Sequence, residues 1–313
     1  MFFRILLFIT LSISAFSDWK GDEAAIVQMA KEKNLPIVAV FLSGEGCPWS
    51  HKFVEDVLAS PQFVRSVGVD AILWEITLRA EEEDMRQKYA VKEAPMILLL
   101  DPKGKEFARL GYSPKSRGDF AEEIMGLING FQDVCVALDH EEKSFDEEEW
   151  KRLYFLSTRF SVPCYKRVIL ERGFKKEKGN FFHVEKYAAM LEKYKLKNPE
   201  VQKLRKQVLR RDALNAEGTH FKVAVLDFQK SASSLKAKER PEKALLPLLT
   251  YLRTFEGKDE ENLWKAELFI AEFLFSRHLF EPAIKHAEES LRLAPESDRS
   301  QVLQAIDYIK GKL

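Results

Sequence analysis

The sequence has few cysteines and histidines, and neither sign of charge dominates it. Among its 313 residues are 3 cysteines and 6 histidines, scattered without the spacing of metal ligands. The 49 basic residues balance the 49 acidic ones, so the composition does not point to nucleic acid or an anionic membrane as a partner. A phosphate-binding glycine loop and a Gly-x-Ser-x-Gly nucleophile motif are also missing. We therefore predict neither a metal nor a cofactor.

Long hydrophobic runs are missing as well, apart from a short one at the N-terminus. Residues 1–17 carry one positive charge at Arg4, an apolar run over 5–16, and small residues just before Asp18. The run is too short for a stable membrane span, and the pattern is typical of a secretory signal peptide. An uncleaved N-terminal anchor is the alternative. We predict export to the periplasm or another extracytoplasmic space, where disulfides persist.

The hydrophobic pattern of the first half alternates between helix and strand. The predicted helices span 22–34, 47–59, 81–89 and 117–131, and the predicted strands span 36–42, 71–76, 96–101 and 106–111. Such an alternation predicts helices that flank a sheet.

One cysteine stands where a predicted strand gives way to a predicted helix. Cys47 follows the apolar strand 36–42, and apolar residues recur at helical spacing from Phe53 to Leu58. Pro48 suits the first position of that helix. Because a helix N-terminus carries partial positive charge and unpaired N–H groups, it favours a thiolate over a thiol. The local pattern therefore predicts a reactive cysteine.

Two segments carry a resemblance to a known family. Residues Cys47 to Ser50 read Cys-Pro-Trp-Ser, which resembles the Cys-x-x-Cys active site of the thioredoxin superfamily with serine in place of the second cysteine. Residues 89–112 are similar to that family's pattern of a cis-proline before a central strand, a tight turn, another strand and a glycine. The resemblance covers residues 18–130. It implies an α/β thioredoxin fold, a central mixed sheet flanked by helices, in a domain over 18–133.

The resemblance also implies roles for individual residues. Cys47 would be the nucleophile, Ser50 would occupy the place of the resolving thiol, and Pro95 would be the cis-proline that faces Cys47 and docks the substrate. The residues expected to bind an extended peptide substrate are Pro48, Trp49 and the backbone of Ala94.

Two of the neighbouring side chains have an alternative interpretation. A positive charge on His51 would favour the Cys47 thiolate by Coulomb attraction, so His51 is a candidate modulator of the site. Alternatively, it is a surface residue on the exposed helix face. Trp49 would line the peptide-binding surface or would simply pack against its neighbours.

The serine limits the chemistry. A serine hydroxyl takes no part in thiol–disulfide exchange, so Ser50 cannot release a substrate from a mixed disulfide. Phe41 stands where many family members carry a buried aspartate, and Ser43 and Gly46 replace the tryptophans that commonly precede the cysteine. The sequence therefore predicts a monothiol disulfide isomerase, or a reductase resolved by an external thiol. Net dithiol oxidation by Cys47 and Ser50 alone is excluded.

The other two cysteines follow the thioredoxin-like region. Cys135 and Cys164 would form a structural disulfide in an exported protein, and that pairing would leave Cys47 as the odd free thiol. Two alternatives stay open, namely that both are free buried thiols or that one of them resolves Cys47 from a distance.

The second half of the chain changes character. An acidic linker is predicted over 134–149 and an all-helical domain over 150–313. Within that domain, residues 262–295 look like a tetratricopeptide-type helix pair, with small residues where two helices touch. The residues that suggest this pair are Ala271, Leu274, Ala283, Ala287, Leu291 and Pro295. An irregular helical bundle is the alternative.

We therefore predict an exported thiol–disulfide oxidoreductase that acts on proteins with cysteines. Dimerisation would suit an isomerase by enclosing a client-binding cleft. A second hypothesis is a redox-silent binding, scaffold or chaperone protein whose helical repeats bind a partner. A third is a monothiol glutaredoxin-like iron–sulfur carrier, against which the export signal argues. The pKa of Cys47 separates the first two, because only a catalytic thiol needs a lowered value.

Overall fold

The structure, a computed structural model, describes residues 21–44, 46–78, 83–112, 117–139, 145–236 and 240–312. The predicted signal peptide at 1–17 lies outside these residues. The chain divides into two compact units, the first ending at Ile169 and the second beginning at Leu170.

The first unit is built on a mixed sheet of four strands. The strands are β1 (Ile37–Ser43), β2 (Ile72–Leu78), β3 (Met96–Leu100) and β4 (Glu106–Gly111). Their order across the sheet is β2-β1-β3-β4. Strand β1 runs parallel to β2 and antiparallel to β3, and β4 runs antiparallel to β3. The predicted central mixed sheet is therefore confirmed.

Both faces of β1 are covered, which explains its uninterrupted apolar sequence. Ala39 and Phe41 belong to a core cluster with Ile26 and Ala30 of the first helix. Val38 and Val40 alternate with them along the strand and therefore point to the opposite face, where they are also fully buried. The strand end that precedes Cys47 is thus held rigidly inside the domain.

Helices flank this sheet. They are α1 (Glu23–Lys33), α2 (Pro48–Phe53), α3 (Pro61–Val67), α4 (Glu83–Lys88), α5 (Arg117–Asp139) and α6 (Glu147–Thr158). A π-helical segment, Val54–Leu58, continues α2. A further helix, α7 (Pro163–Lys176), contains the division between the units.

The structure differs from the sequence prediction around the acidic linker predicted for 134–149. Helix α5 continues to Asp139, because Val134 and Ala137 extend its buried face. Helix α6 begins within the acidic run, where the Asp146 carboxylate accepts a hydrogen bond from the backbone N–H of Glu149. Acidic residues in a first helical turn are favoured by the helix dipole. Residues 140–144 lie outside the described residues.

Helix α6 was predicted to open the helical domain, but it belongs to the first unit. The rings of Phe107 on β4 and Phe131 on α5 stack with centroids 4.0 Å apart. Phe160, just after α6, packs edge-on against both of these rings. Through this aromatic contact, the chain just after α6 packs against strand β4 and helix α5.

The second unit is helical throughout its described residues, 170–236 and 240–312. Besides the end of α7 it contains α8 (Phe181–Lys193), α9 (Pro199–Arg211), α10 (Thr219–Ser233), α11 (Glu242–Phe255), α12 (Glu260–Ser276), α13 (Phe280–Leu293) and α14 (Arg299–Lys310). This confirms the predicted helical C-terminal region. No helix in the described part of the chain has the length and apolar character needed to cross a membrane.

The helix pair predicted for 262–295 corresponds to α12 and α13. Ala271 on α12 and both Ala283 and Ala287 on α13 are fully buried in one core cluster. Small side chains at these positions let the two helices approach closely. Assignment of the pair to the tetratricopeptide type stays a prediction.

Within the region predicted as all-helical, the sequence pattern does not mark α7 as a separate helix. Its Val168, Ile169 and Leu170 are consecutive, and Gly173 interrupts the pattern. The glycine has a packing reason, since a Cβ added there would lie 2.5 Å from the ring of Phe182. The helix is thus stabilised by a close tertiary contact that hydrophobic periodicity does not reveal.

Candidate active site

The end of β1 and the start of α2 place Cys47 at a helix N-terminus. After Ser43 ends the strand, the chain turns through Gly46, whose φ of +98° is in a region that side chains rarely adopt. Cys47 is the N-cap residue of α2, and Pro48 occupies the first helical turn. The Cys47 side chain does not cap the helix. Its sulfur is therefore left for other donors near the helix start.

Those donors lower the pKa of the Cys47 thiol below its ordinary value of 9.0. The largest cause is a hydrogen bond from the backbone N–H of Ser50, followed by one from the Ser50 hydroxyl. The Trp49 N–H and the Ser43 hydroxyl act in the same direction, while desolvation opposes them. Hydrogen bonds to the charged form stabilise it, so the site favours the thiolate.

The orientation of the Ser50 hydroxyl is set by the strand. Ser50 is buried, and its Oγ accepts a hydrogen bond from the backbone N–H of Ser43 at 3.0 Å. Because that oxygen is engaged as an acceptor, its own proton is available for the Cys47 sulfur. Ser50 therefore acts here as a thiolate donor.

Sequence reasoning missed Ser43 as a residue of this site. Its N–H positions Ser50, and its hydroxyl also acts on Cys47. The only signal in the sequence was its replacement of a tryptophan of the family pattern.

A cleft brings together several of the predicted substrate-binding residues. It has a volume of about 290 Å³ and is lined by Trp49, Glu93, Ala94, Pro95, Met96, Gly111 and Tyr112. The Ala94–Pro95 peptide bond is cis, as the resemblance implies. Cys47 and the exposed Pro48 are not among the lining residues, although Cys47 precedes Trp49 by only two residues.

Aromatic contacts set the walls of this cleft. The Trp49 side chain is 55% exposed, and its ring centroid lies 6.3 Å from that of Tyr112. The Tyr112 ring in turn packs against the buried Phe53 at 5.1 Å. Tyr112 is thus held by the core while Trp49 presents apolar surface to solvent.

Of the remaining positions, His51 is exposed and Phe41 is buried. The His51 side chain is 79% exposed, and its Nδ1 lies 3.6 Å from Glu55 Oε1, one helical turn further on. Phe41, which stands at the place of the family's buried aspartate, is fully buried and packs on Tyr89 at 5.5 Å. That position therefore offers no carboxylate base.

The three cysteines are all free in the structure. The predicted disulfide between Cys135 and Cys164 is therefore not formed. The alternative that both are buried free thiols is also wrong, because Cys164 is exposed. Burial, together with the charges of Asp139 and Asp101, raises the pKa of Cys135 to about 11. Cys135 is thus a poor nucleophile at neutral pH.

Among the residues that the structure describes, no three His, Cys, Asp or Glu side chains are grouped so that they could hold a metal ion.

Replacing Ser50 with alanine is expected to raise the pKa of Cys47, because the hydroxyl donor is lost while the backbone donor remains. The rate of Cys47 alkylation at pH 7 should fall roughly threefold to tenfold, as expected for one hydrogen bond. Ser60→Ala, another buried serine of the same unit, is the matched control and should leave the rate unchanged. An unaltered rate in Ser50→Ala would contradict the assigned hydrogen bond.

Comparisons with known proteins place a thioredoxin-like domain in this part of the chain. A family model described as a thioredoxin-like domain matches residues 24–122. The thioredoxin-related protein DsbJ of Chlamydia pneumoniae is 28% identical over 308 residues, covering 93% of this chain and 87% of its own length. The disulfide bond reductase DsbH of the same organism is 22% identical over 120 residues, covering 35% of this chain and 72% of its own length.

One solved structure gives a further comparison. The DsbH oxidoreductase structure aligns with 39% of this chain and 92% of its own, with 22% sequence identity and a TM-score of 0.33. With the family match and the site geometry together, residues 24–122 form a thioredoxin-like domain, and a largely helical region follows it.

Proposed function

We propose that this protein is an exported thiol–disulfide oxidoreductase that acts on disulfides of other proteins through Cys47 alone, as an isomerase or a reductase. The observation that carries the proposal is the position of Cys47 at the start of α2, beside the donors of Ser50, Trp49 and Ser43 that lower the pKa of its thiol. The names of the two relatives, a thioredoxin-related protein and a disulfide bond reductase, support it.

The first step is a thiol–disulfide exchange. The Cys47 thiolate attacks one sulfur of a client disulfide, so that a Cys47–client mixed disulfide forms and the other client sulfur leaves as a thiolate. The donors around Cys47 keep its sulfur ionised for this attack. They also stabilise it as a leaving group in the step that follows.

The second step decides between the two activities. If a client thiolate attacks the client sulfur of the mixed disulfide, Cys47 leaves and the client disulfide is rearranged without net oxidation or reduction. If external thiols attack instead, they supply two electrons and the client disulfide is reduced. Ser50 has no thiol for this step, so the resolving sulfur must come from outside the motif.

The cleft beside the helix start suits an extended client segment. Ala94, next to the cis-Pro95 bond, is partly exposed and lines the cleft, and the Trp49 ring offers apolar surface. A client strand would pair with the Ala94 backbone while its side chains alternate across the cleft. The cysteine under attack would then lie near Cys47.

Export and the helical region complete the proposal. Export rests on the signal-peptide pattern of residues 1–17, because disulfide exchange between proteins needs a compartment in which disulfides persist. The helical unit would bind client proteins or a second copy of the chain.

The test is the pH dependence of Cys47 alkylation in a protein that starts at Asp18 and carries Cys135→Ala and Cys164→Ala. The rate should rise with pH and reach its plateau early, with a midpoint clearly below 9.0, because the folded site favours the thiolate. The same protein unfolded in urea is the control, and its midpoint should lie higher. A folded midpoint at or above the unfolded one would contradict a catalytic thiol and favour a redox-silent binding protein.

A further inference from the structure

Among the residues that the structure describes, the cleft lined by Trp49 and cis-Pro95 contains a single charged side chain. Glu93 precedes Ala94 and the cis-Pro95 bond, and it lines the cleft with the rings of Trp49 and Tyr112. The other lining groups are uncharged. Any ligand in this cleft therefore meets two aromatic walls and one carboxylate.

This carboxylate has no partner among the residues that the structure describes. Glu93 is exposed, and it makes neither a hydrogen bond nor an ion pair there. Two described cations of the same unit have other partners, since Lys52 lies 3.4 Å from Asp56 and Arg109 pairs with Glu106 at 2.7 Å. Lys92 is exposed but does not line the cleft. The negative charge of Glu93 is thus available to a bound molecule.

The cleft also has room for a long side chain. A Cβ added at Gly111 would meet no atom within 4 Å, so the space above this glycine is open. Trp49 and Tyr112 rings can lie against the alkyl stem of an arginine or lysine and attract its cation. A carboxylate at the same cleft can pair with that cation.

We propose that this cleft selects client segments that carry arginine or lysine next to the cysteine under attack, with Glu93 pairing the cation and Trp49 and Tyr112 covering its stem. The inference rests on the proposed function, because it assumes that Cys47 attacks a disulfide held at this cleft. In that exchange the Cys47–client S–S bond forms, the client's original S–S bond breaks, and its partner sulfur leaves as a thiolate.

The test uses short peptides whose cysteine is joined by a disulfide to an aromatic thiol. They carry arginine, glutamine or glutamate beside the cysteine, and release of the aromatic thiolate gives the rate of attack by Cys47. The aromatic thiol leaves readily because its pKa is low, so attack occurs on the peptide sulfur. Rates with a small free thiol correct for the intrinsic reactivity of each peptide.

After this correction, the arginine peptide should react roughly three- to tenfold faster than the glutamine peptide, as expected for one exposed ion pair with a cation–π contact. The glutamate peptide should be slowest. The preference should weaken as salt is added, because exposed charges are screened.

Variants distinguish the effect of the Glu93 charge in the cleft from the effect of a charge elsewhere on the surface. Glu93→Gln should remove most of the preference, and Glu93→Lys should favour the glutamate peptide. Asp70→Asn removes an exposed charge after α3, away from the cleft lining, and should keep the full preference. Circular dichroism checks that each variant is folded.

Two outcomes would overturn the inference, and they are distinguishable. If all peptides react rapidly at equal corrected rates, or if Glu93→Gln keeps the preference, the charge selection is wrong while the proposed function stands. If no peptide reacts faster with the protein than with a small thiol, the proposed function fails and this inference fails with it.

Discussion

Replacing Cys47 with alanine is expected to lower capture of client disulfides by at least about a hundredfold at pH 7, in a protein that also carries Cys164→Ala. The pKa of Cys47 is lowered from its ordinary value, so a larger fraction of it is thiolate at pH 7 than the roughly 1–3% of an ordinary cysteine. Cys135, the cysteine left in the variant, has its pKa raised to about 11, which leaves roughly 0.01% as thiolate at this pH. Since the thiolate is the nucleophile and Cys135 is in addition only partly exposed, Cys47 is expected to account for nearly all of the capture.

The measurement is mass spectrometry of mixed disulfides formed with a model client over time. Cys135→Ala in the same Cys164→Ala background is the matched control and should retain the full rate. A Cys47→Ala protein that still captures clients within tenfold of its parent would show that another cysteine does the chemistry. That result would remove the main support for a Cys47-centred mechanism.

Replacing Asp227 with alanine is expected to lower the free energy of unfolding of the second unit by about 3 kcal/mol. Asp227 is buried on α10, where its carboxylate accepts hydrogen bonds from the hydroxyl of the fully buried Tyr187 and from Arg205 Nε. Alanine would leave the tyrosine hydroxyl buried without a partner and the arginine without its counter-charge. Breaking a buried, hydrogen-bonded charge pair on one side typically costs about 3–5 kcal/mol, and the partial exposure of Arg205 favours the lower end.

The free energy of unfolding is measured by hydrogen exchange of the amides in α8, α9 and α10, on the full chain. Tyr187→Phe removes only the hydroxyl and should cost about 1 kcal/mol. Because the two groups bond each other, the double variant should cost less than the sum of the single ones. Additive costs, or a change below about 1 kcal/mol for Asp227→Ala, would contradict a structural role for this network.

Much of the first unit follows from patterns that the sequence displays directly. The apolar run of β1, the turn after it and the helix spacing after Cys47 are local features, and each corresponds to an observed element. The cis bond before Pro95 came from the family resemblance. No local rule would have assigned it, because most bonds before proline are trans.

Other features depend on contacts between distant residues and were beyond the sequence. The hydrogen bond from Ser43 to Ser50 joins a strand end to a helix, and its existence depends on how the two elements pack. Helix α7 has a weak hydrophobic pattern, and only glycine fits at position 173 because the ring of Phe182 packs against it. The acidic run around Glu147 predicts a linker, since charge alone does not distinguish a solvated segment from the first turn of a helix.

The bond between Ser43 and Ser50 has one further consequence. It links α2 to the end of β1, and it also orients the Ser50 hydroxyl that helps to lower the pKa of Cys47. Any local opening that separates helix from strand would therefore reduce the nucleophilicity of the cysteine before the domain unfolds as a whole. The ionisation of Cys47 therefore depends on local order: its pKa is lowered only while the contact between the end of β1 and the start of α2 is intact.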